Sequence, residues 1–212
     1  MINLKVDGTR EELLRDLVET YPTWPELLAH VREYAPKHHK EVWEEQAIAI
    51  AILAAQYDRR DASILEWGTN RGMTAALLKL AAPQATVATL EPNQALRRPA
   101  RHCLAPLGMR VLPWTSVAYL DFDESTYDMI FVDGDHKNAR LDLPWMGRLK
   151  VGGLFLWHDF SPKESSRPCP PVFRALTEFS RVLDHEPDVL VRDETGTGLA
   201  GWYRREGEQW HP

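Results

Sequence analysis

The run Tyr127-Asp-Met-Ile-Phe-Val-Asp133-Gly134-Asp135-His136 ends an apolar stretch in carboxylates and an imidazole. Further on, Leu154-Phe-Leu-Trp-His158-Asp159 does the same after the pair Gly152-Gly153. An imidazole with a pKa near 6.5 can take a proton from a hydroxyl at neutral pH, and a neighbouring carboxylate raises its basicity. The two runs therefore point to proton transfer, with His136 and His158 as the candidate bases.

A third run, Ile64-Leu-Glu66-Trp-Gly68-Thr69-Asn70-Arg-Gly72-Met-Thr74, leads an apolar strand through a glycine-bearing turn into a helix. Gly68 and Gly72 let the backbone turn sharply and approach a ligand where a Cβ would intrude. A GxGxxG fingerprint would seat a pyrophosphate there. Here Asn70 stands in place of the middle glycine, and the acidic Glu66 precedes the turn, which favours a cationic group over an anionic one. The next strand ends in Glu91, where a carboxylate can accept both hydroxyls of a ribose. Glu66, the two glycines and Glu91 together favour a nucleoside site.

Such residues need a scaffold that gathers strand ends. Short β-rich runs at 63–67, 85–90, 109–112, 129–132 and 154–157 alternate with helical runs at 73–81, 93–107, 139–149 and 172–183. That alternation makes a parallel sheet covered by helices. Two further runs, 188–192 and 199–204, flank Glu194-Thr-Gly-Thr-Gly198 and read as a hairpin. Ahead of residue 58 the spacing of Leu13, Leu14, Leu17, Val18 and of Leu27, Leu28, Val31 is helical. A longer helix from Glu41 to about Tyr57 is apolar on nearly every face, which suits burial between a sheet and other helices. The proline-rich stretch 161–171 reads as a loop after the fifth of these strands, either a plain connection or a lid on the substrate side.

At this point the sequence resembles the class I S-adenosylmethionine-dependent methyltransferases, whose motif E-x-G-x-x-x-G-x-S/T is matched by Glu66, Gly68, Gly72 and Thr74. The resemblance implies a Rossmann-like α/β fold: a seven-stranded, mostly parallel sheet with helices on both faces, a C-terminal antiparallel hairpin and an N-terminal helical extension. Residues 1–58 would form that extension and cap the crevice, and residues 59–212 the cofactor-binding domain. It implies S-adenosylmethionine as cofactor. The turn from Gly68 through Thr69 and Asn70 to Gly72 would pass its methionine part, Glu91 would hold the ribose, and Glu66 would lend negative potential near the ammonium and sulfonium. Ser116, with Trp114 nearby, would meet the adenine.

The D-G-D-H run, Asp142, the Gly-Gly pair and His158-Asp159 resemble the small-molecule O-methyltransferase branch of sugar and catechol types. There the resemblance implies His136 as proton acceptor supported by Asp133, which also borders the cofactor, and Asp133 and Asp159 as ligands to Mg²⁺ or another divalent cation. The pattern departs at one place: the catechol type has Asp-Asn and the sugar type an acidic pair where this chain has His158-Asp159-Phe160. One oxygen ligand is missing. The alternative is that Asp133 and Asp159 only shape the crevice and Asp159 orients His136 or His158, with His158 as the other candidate base. Competing functions are a cofactor-binding scaffold without chemistry and a nucleotide-linked oxidoreductase, the latter disfavoured by the absent GxGxxG. Nucleic-acid N-methylation is disfavoured because Asp133-Gly-Asp-His136 replaces the Asn/Asp-Pro-Pro-aromatic motif.

Composition narrows the partners. The 25 Lys+Arg against 31 Asp+Glu leave a net charge of −6, so no general positive field gathers nucleic acid or an anionic membrane. Arg97, Arg98, Arg101 and His102 on one helix, and His38-His39 between lysines, read as solvated faces. Cys103 and Cys169 form no CxxC pair, which fits a reducing compartment. Residues 1–16 lack the sections of a signal peptide, and the apolar run 47–55 is too short to span a bilayer. The expectation is a cytoplasmic enzyme acting on a small-molecule hydroxyl, with neither nucleic acid nor membrane as partner and the oligomeric state left open.

Overall fold

A computed structural model describes residues 1–34 and 42–208. Among them strands β1 (Lys5–Gly8), β2 (Ser63–Trp67), β3 (Thr86–Leu90), β4 (Arg110–Leu112), β5 (Tyr127–Val132), β6 (Leu149–Trp157), β7 (Val189–Asp193) and β8 (Gly198–Tyr203) form one sheet in the order β1-β7-β8-β6-β5-β2-β3-β4. Neighbours from β4 to β6 pair in parallel, and β8 runs antiparallel to both β6 and β7. This is the expected α/β architecture with its C-terminal hairpin, plus one strand. The addition, β1, pairs in parallel with β7 at the sheet edge. Its four residues, Lys-Val-Asp-Gly, are too few and too polar to announce a strand by periodicity.

Strand β5 shows how the sheet feeds two cores. It is buried throughout, with Met129 and Phe131 facing one hydrophobic cluster and Ile130 and Val132 the other. That is the period-two alternation of a strand covered on both faces. The first cluster is closed by α1 (Arg10–Thr20), α2 (Trp24–Tyr34), α3 (Glu44–Ala55), α4 (Met73–Ala81) and α5 (Gln94–Leu104). The second is closed by α6 (Ser116–Phe122), the 3-10 segment His136–Arg148 and α7 (Pro170–Leu183).

Helix α3 is buried from Glu45 to Ala54, as its all-round apolar sequence requires. Its expected start at Glu41, and His38-His39, lie outside the described residues. The segment ahead of residue 58 shares the first core with the sheet, and none of its described residues lines the crevice. Two local differences from the sequence reading have clear causes. The helix expected at 139–149 is a 3-10 segment, because Pro144 lacks an N–H and Asn138 leaves helical φ/ψ. The seven-residue α6, capped by the Thr115 hydroxyl, which accepts the N–H of Ala118, is too short to show periodicity. No helix among the described residues is long and apolar enough to cross a membrane.

The chain leaves β2 towards β3 on one side and returns to β5 on the other. The carboxyl ends of β2 and β5 therefore part at a topological switch point, where open α/β sheets bind ligands.

Candidate active site

A crevice of about 420 Å³ lies at that switch point, within the size range of small-molecule sites. One end is built by the turn after β2. Gly68 has φ +95°, and a Cβ there would stand 1.8 Å from the carbonyl oxygen of Asp133. Gly134 is equally confined, since its Cβ would meet Trp67 Cδ1 at 2.6 Å. The ends of β2 and β5 thus approach so closely that only glycine fits between them. Asn70 takes φ 47°, a left-handed conformation that asparagine tolerates.

Glu91 stands across from this turn, 5% exposed. Its Oε2 accepts the N–H of Asn70 at 2.9 Å and its Oε1 the N–H of Asn93 at 2.9 Å. Two amides hold the carboxylate while each oxygen keeps a lone pair for a hydroxyl. Gly68, Thr69, Asn70, Thr74, Glu91, Trp114 and Ser116 all line the crevice. The structure brings these sequence-predicted residues together.

Glu66 and Gly72 are placed differently. Glu66 is fully buried, pairs in register with Thr89 and accepts that residue's hydroxyl, which also meets the Thr69 hydroxyl. Glu66 is thus not among the residues that line the crevice: it faces the α4 side of the sheet, and its bond to Thr89 leads through Thr69 to the turn. Gly72 caps α4 at φ +96° with Leu104 packed against it, so it shapes the helix start and does not line the crevice.

The other end of the crevice gathers both acidic runs. His136 Nε2 lies 3.3 Å from Asp133 Oδ1 and 3.4 Å from Asp159 Oδ2. His158 Nδ1 lies 3.2 Å from Asp133 Oδ1 and 3.3 Å from Asp159 Oδ1. His136 is the more accessible ring, its side chain 35% exposed against 3% for His158. The hydrogen bond to Asp133 raises the His136 pKa above the ordinary value, with burial opposing. Burial works against a charge on His158 as well, but Asp133 and Asp159 outweigh it and raise that ring to about 10. In turn the two imidazoles overcome burial and hold both Asp133 and Asp159 below the usual carboxylate range.

Four residues at the site escaped the sequence reading or entered it without a contact. Gln46, from α3, places Oε1 2.8 Å from His158 Nε2. The available signal was a polar residue opening a helix that is otherwise apolar all round. Asp142 accepts from Trp67 Nε1 at 3.0 Å and from the Ser116 hydroxyl, tying this crevice-lining serine to the second core. Burial raises its pKa to about 6 against those hydrogen bonds. Arg167, from the proline-rich loop, lines the crevice, and Cys169 stands within ligand distance of His136 and Asp159. Neither has a local sequence signal.

Residues 65–160 match the family model described as a methyltransferase domain. Solved structures of methyltransferases share the fold over most of their length. An SAH-bound methyltransferase of Podospora anserina is 20% identical, with 84% of this chain and 87% of that chain covered and a TM-score of 0.63. An O-methyltransferase of Bacillus cereus in complex with SAH is 18% identical, with 86% and 91% covered and a TM-score of 0.59. An rRNA methylase of Streptococcus thermophilus is 13% identical, with 78% and 99% covered and a TM-score of 0.57. These likenesses are of fold. No curated protein sequence matches the chain. The crevice lies at the ends of β2, β3, β5 and β6, within and beside the matched stretch.

Proposed function

We propose that the protein transfers a methyl group from S-adenosylmethionine to a hydroxyl of a small molecule. The observation that carries this reading is that a single crevice holds both the Glu91–Gly68 cradle and, at its other end, the Asp133–His136 pair. The cradle fits the cofactor: an oriented carboxylate suits a ribose diol, and Gly68 and Gly134 let the ends of β2 and β5 close up beside it. When bound, S-adenosylmethionine supplies an electrophilic methyl group.

The residues around it have separable tasks. Glu91 and the Gly68–Asn70 turn bind, and Ser116 and Trp114 border the base side. Asp133 accepts from His136 Nε2–H, which leaves Nδ1 as the atom that takes the acceptor's proton. Positioning the acceptor oxygen in line with the methyl group is the remaining requirement, and Arg167 adds a cation on the loop side of the crevice. Crevice size and the net charge of −6 favour a small acceptor over a nucleic acid. The free thiols of Cys103 and Cys169 support a reducing, cytoplasmic setting.

Asp133 and Asp159 come together as a metal site would require, but they do not complete an oxygen cage. Mg²⁺ takes oxygen ligands in near-octahedral geometry, whereas the side chains filling the neighbouring directions are the imidazoles of His136 and His158. The residues do not fit Mg²⁺, and proton transfer is assigned to His136 without it.

Calorimetry with S-adenosylhomocysteine and with NAD tests the cofactor assignment. Micromolar-scale binding of the former alone is expected; tight NAD binding with no response to S-adenosylhomocysteine would overturn it. Turnover with a panel of phenols, sugars and hydroxylated polyketides then tests the acceptor class.

A further inference from the structure

Among the described residues that line the crevice, Arg167 is the only lysine or arginine. Its surroundings supply no partner for it, because the carboxylates of the crevice are engaged elsewhere. Glu91 takes two backbone amides, and Asp135 takes the N–H of Lys137 at 3.2 Å and the side-chain amide of Asn138 at 2.7 Å. Asp133 and Asp159 face the imidazoles of His136 and His158. The Arg167 guanidinium makes neither an ion pair nor a hydrogen bond among the described residues.

Exposed arginines often lack partners, so the place of this one decides its meaning. The loop that carries it is folded back on itself. The Pro162 carbonyl accepts the N–H of Ser165 at 3.2 Å and its hydroxyl at 2.8 Å, and the Ser161 carbonyl accepts the N–H of Cys169 at 3.1 Å. Ser161 and Ser165 are both buried. The Ser166 hydroxyl meets that of Thr195 at 3.0 Å, which ties the loop to the turn between β7 and β8. Pro168 follows Arg167 and restricts its backbone to extended conformations. Arg167 therefore stands between anchored neighbours, Ser166 and Cys169. It also stands at the proton-transfer end of the crevice. Cys169 has its sulfur within 4.8 Å of donor atoms of His136 and Asp159. Burial pushes this thiol up, and among the charges acting on it Asp159 and Asp133 push the same way while Arg167 opposes them. The arginine and the two aspartates thus share one neighbourhood.

We propose that Arg167 is a specificity-determining residue that pairs with an anionic group, a carboxylate or a phosphate, carried by the hydroxyl compound that accepts the methyl group. The proposal rests on the methyl-transfer reading and narrows its acceptor class. A planar guanidinium offers two parallel N–H donors to either anion. Asp133, Asp135 and Asp159 repel the same anion, so the one arginine fixes which way round the acceptor sits, its charged group towards the loop and its hydroxyl towards His136.

The test uses the full chain saturated with S-adenosylhomocysteine, so that acceptor binding is read without turnover. Two matched pairs serve as probes: 3,4-dihydroxybenzoate against 3,4-dihydroxybenzamide for a carboxylate, and glucose 6-phosphate against glucose for a phosphate. In calorimetry the anion of at least one pair should bind tenfold or more tightly than its neutral counterpart, and the pair that shows this names the anion. Arg167→Gln should weaken that anion about 10- to 100-fold and bring it level with the neutral probe. Arg167→Lys, with a point charge but no fork, should fall between the two. Equal or absent binding within both pairs, a preference retained in Arg167→Gln, or S-adenosylhomocysteine affinity lost in that variant would overturn the proposal. The methyl-transfer reading fails separately, through absent S-adenosylhomocysteine binding to the wild type, and the probes are then titrated against the unliganded chain with the same outcomes.

Discussion

Glu91 Oε2 accepts the backbone N–H of Asn70 at 2.9 Å, so the end of β3 fixes the turn that follows β2. The same carboxylate takes the N–H of Asn93, and its removal strands two amides as well as removing the proposed ribose contact. Glu91→Ala should weaken S-adenosylhomocysteine binding by about 1.5 to 3 kcal/mol, the range for hydrogen bonds to charged groups. Its melting temperature should fall too. Glu91→Gln, which keeps one acceptor, should fall between the two. Calorimetry and a thermal melt check this, and an unchanged affinity in Glu91→Ala would remove Glu91 from the site.

Gly68 and Gly108 offer a matched pair for separating strain from crowding. Both have positive φ, but a Cβ on Gly68 would stand 1.8 Å from the Asp133 carbonyl oxygen, whereas one on Gly108 meets nothing within 4 Å. Gly108→Ala should cost about 1 to 2 kcal/mol, the penalty of a left-handed non-glycine residue. Gly68→Ala should cost clearly more and lose cofactor binding with it, because β2 and β5 must part to admit the methyl. Denaturant unfolding of both variants measures the difference; equal losses would contradict the close packing of the two strand ends.

Asp142 makes a pH prediction with a definite sign. Its folded pKa is raised to about 6 by burial, while an unfolded aspartate titrates near about 3.9. The folded state thus holds the proton more tightly. The associated stability is fully present below about pH 3.9 and is lost as pH rises through about 6. Trp67 Nε1 donates to this carboxyl, so its indole N–H resonance should titrate with a midpoint near 6 and lie flat in Asp142→Asn. A midpoint at or below the ordinary aspartate value would mean that the Ser116 and Trp67 hydrogen bonds outweigh burial.

What could be read from sequence follows from how local each cause is. Strand β2 and helix α4 were legible to the residue because an apolar run, a glycine turn and a helical repeat sit side by side in the chain. Gly68, Glu91, Asp133 and His136 were legible because strand ends in a parallel sheet converge on one edge. The surroundings of Glu66 were not legible because the face of the sheet to which a side chain points decides its neighbours, and its partner Thr89 becomes visible only once β2 and β3 are in register. Gln46 could not be assigned at all. Its contact with His158 spans 112 positions and depends on how α3 packs against the sheet. Strand β1 likewise takes its conformation from β7, not from its own four residues.

The last prediction concerns His136 as proton acceptor. Its ring faces the crevice beside Asp133 and Asp159, with His158 behind them and Cys169 at the loop side. The Asp133 hydrogen bond raises its pKa above 6.5. A base must be neutral to act, so the acidic limb of the pH–rate profile should lie above pH 6.5, and turnover should climb as the ring loses its proton. Stability moves the opposite way: the ion pair contributes fully below about pH 6.5 and is lost as pH passes the folded pKa. His136→Ala should leave S-adenosylhomocysteine affinity nearly intact, because the imidazole acts on the acceptor. Turnover should drop by roughly 10²- to 10⁴-fold, the usual contribution of a general base, and the acidic limb should vanish with it. A structural histidine would instead lower melting temperature and cofactor binding together. If the variant turns over a phenol, sugar or polyketide acceptor at the wild-type rate with an unaltered pH profile, the base lies elsewhere, and His158 becomes the residue to test.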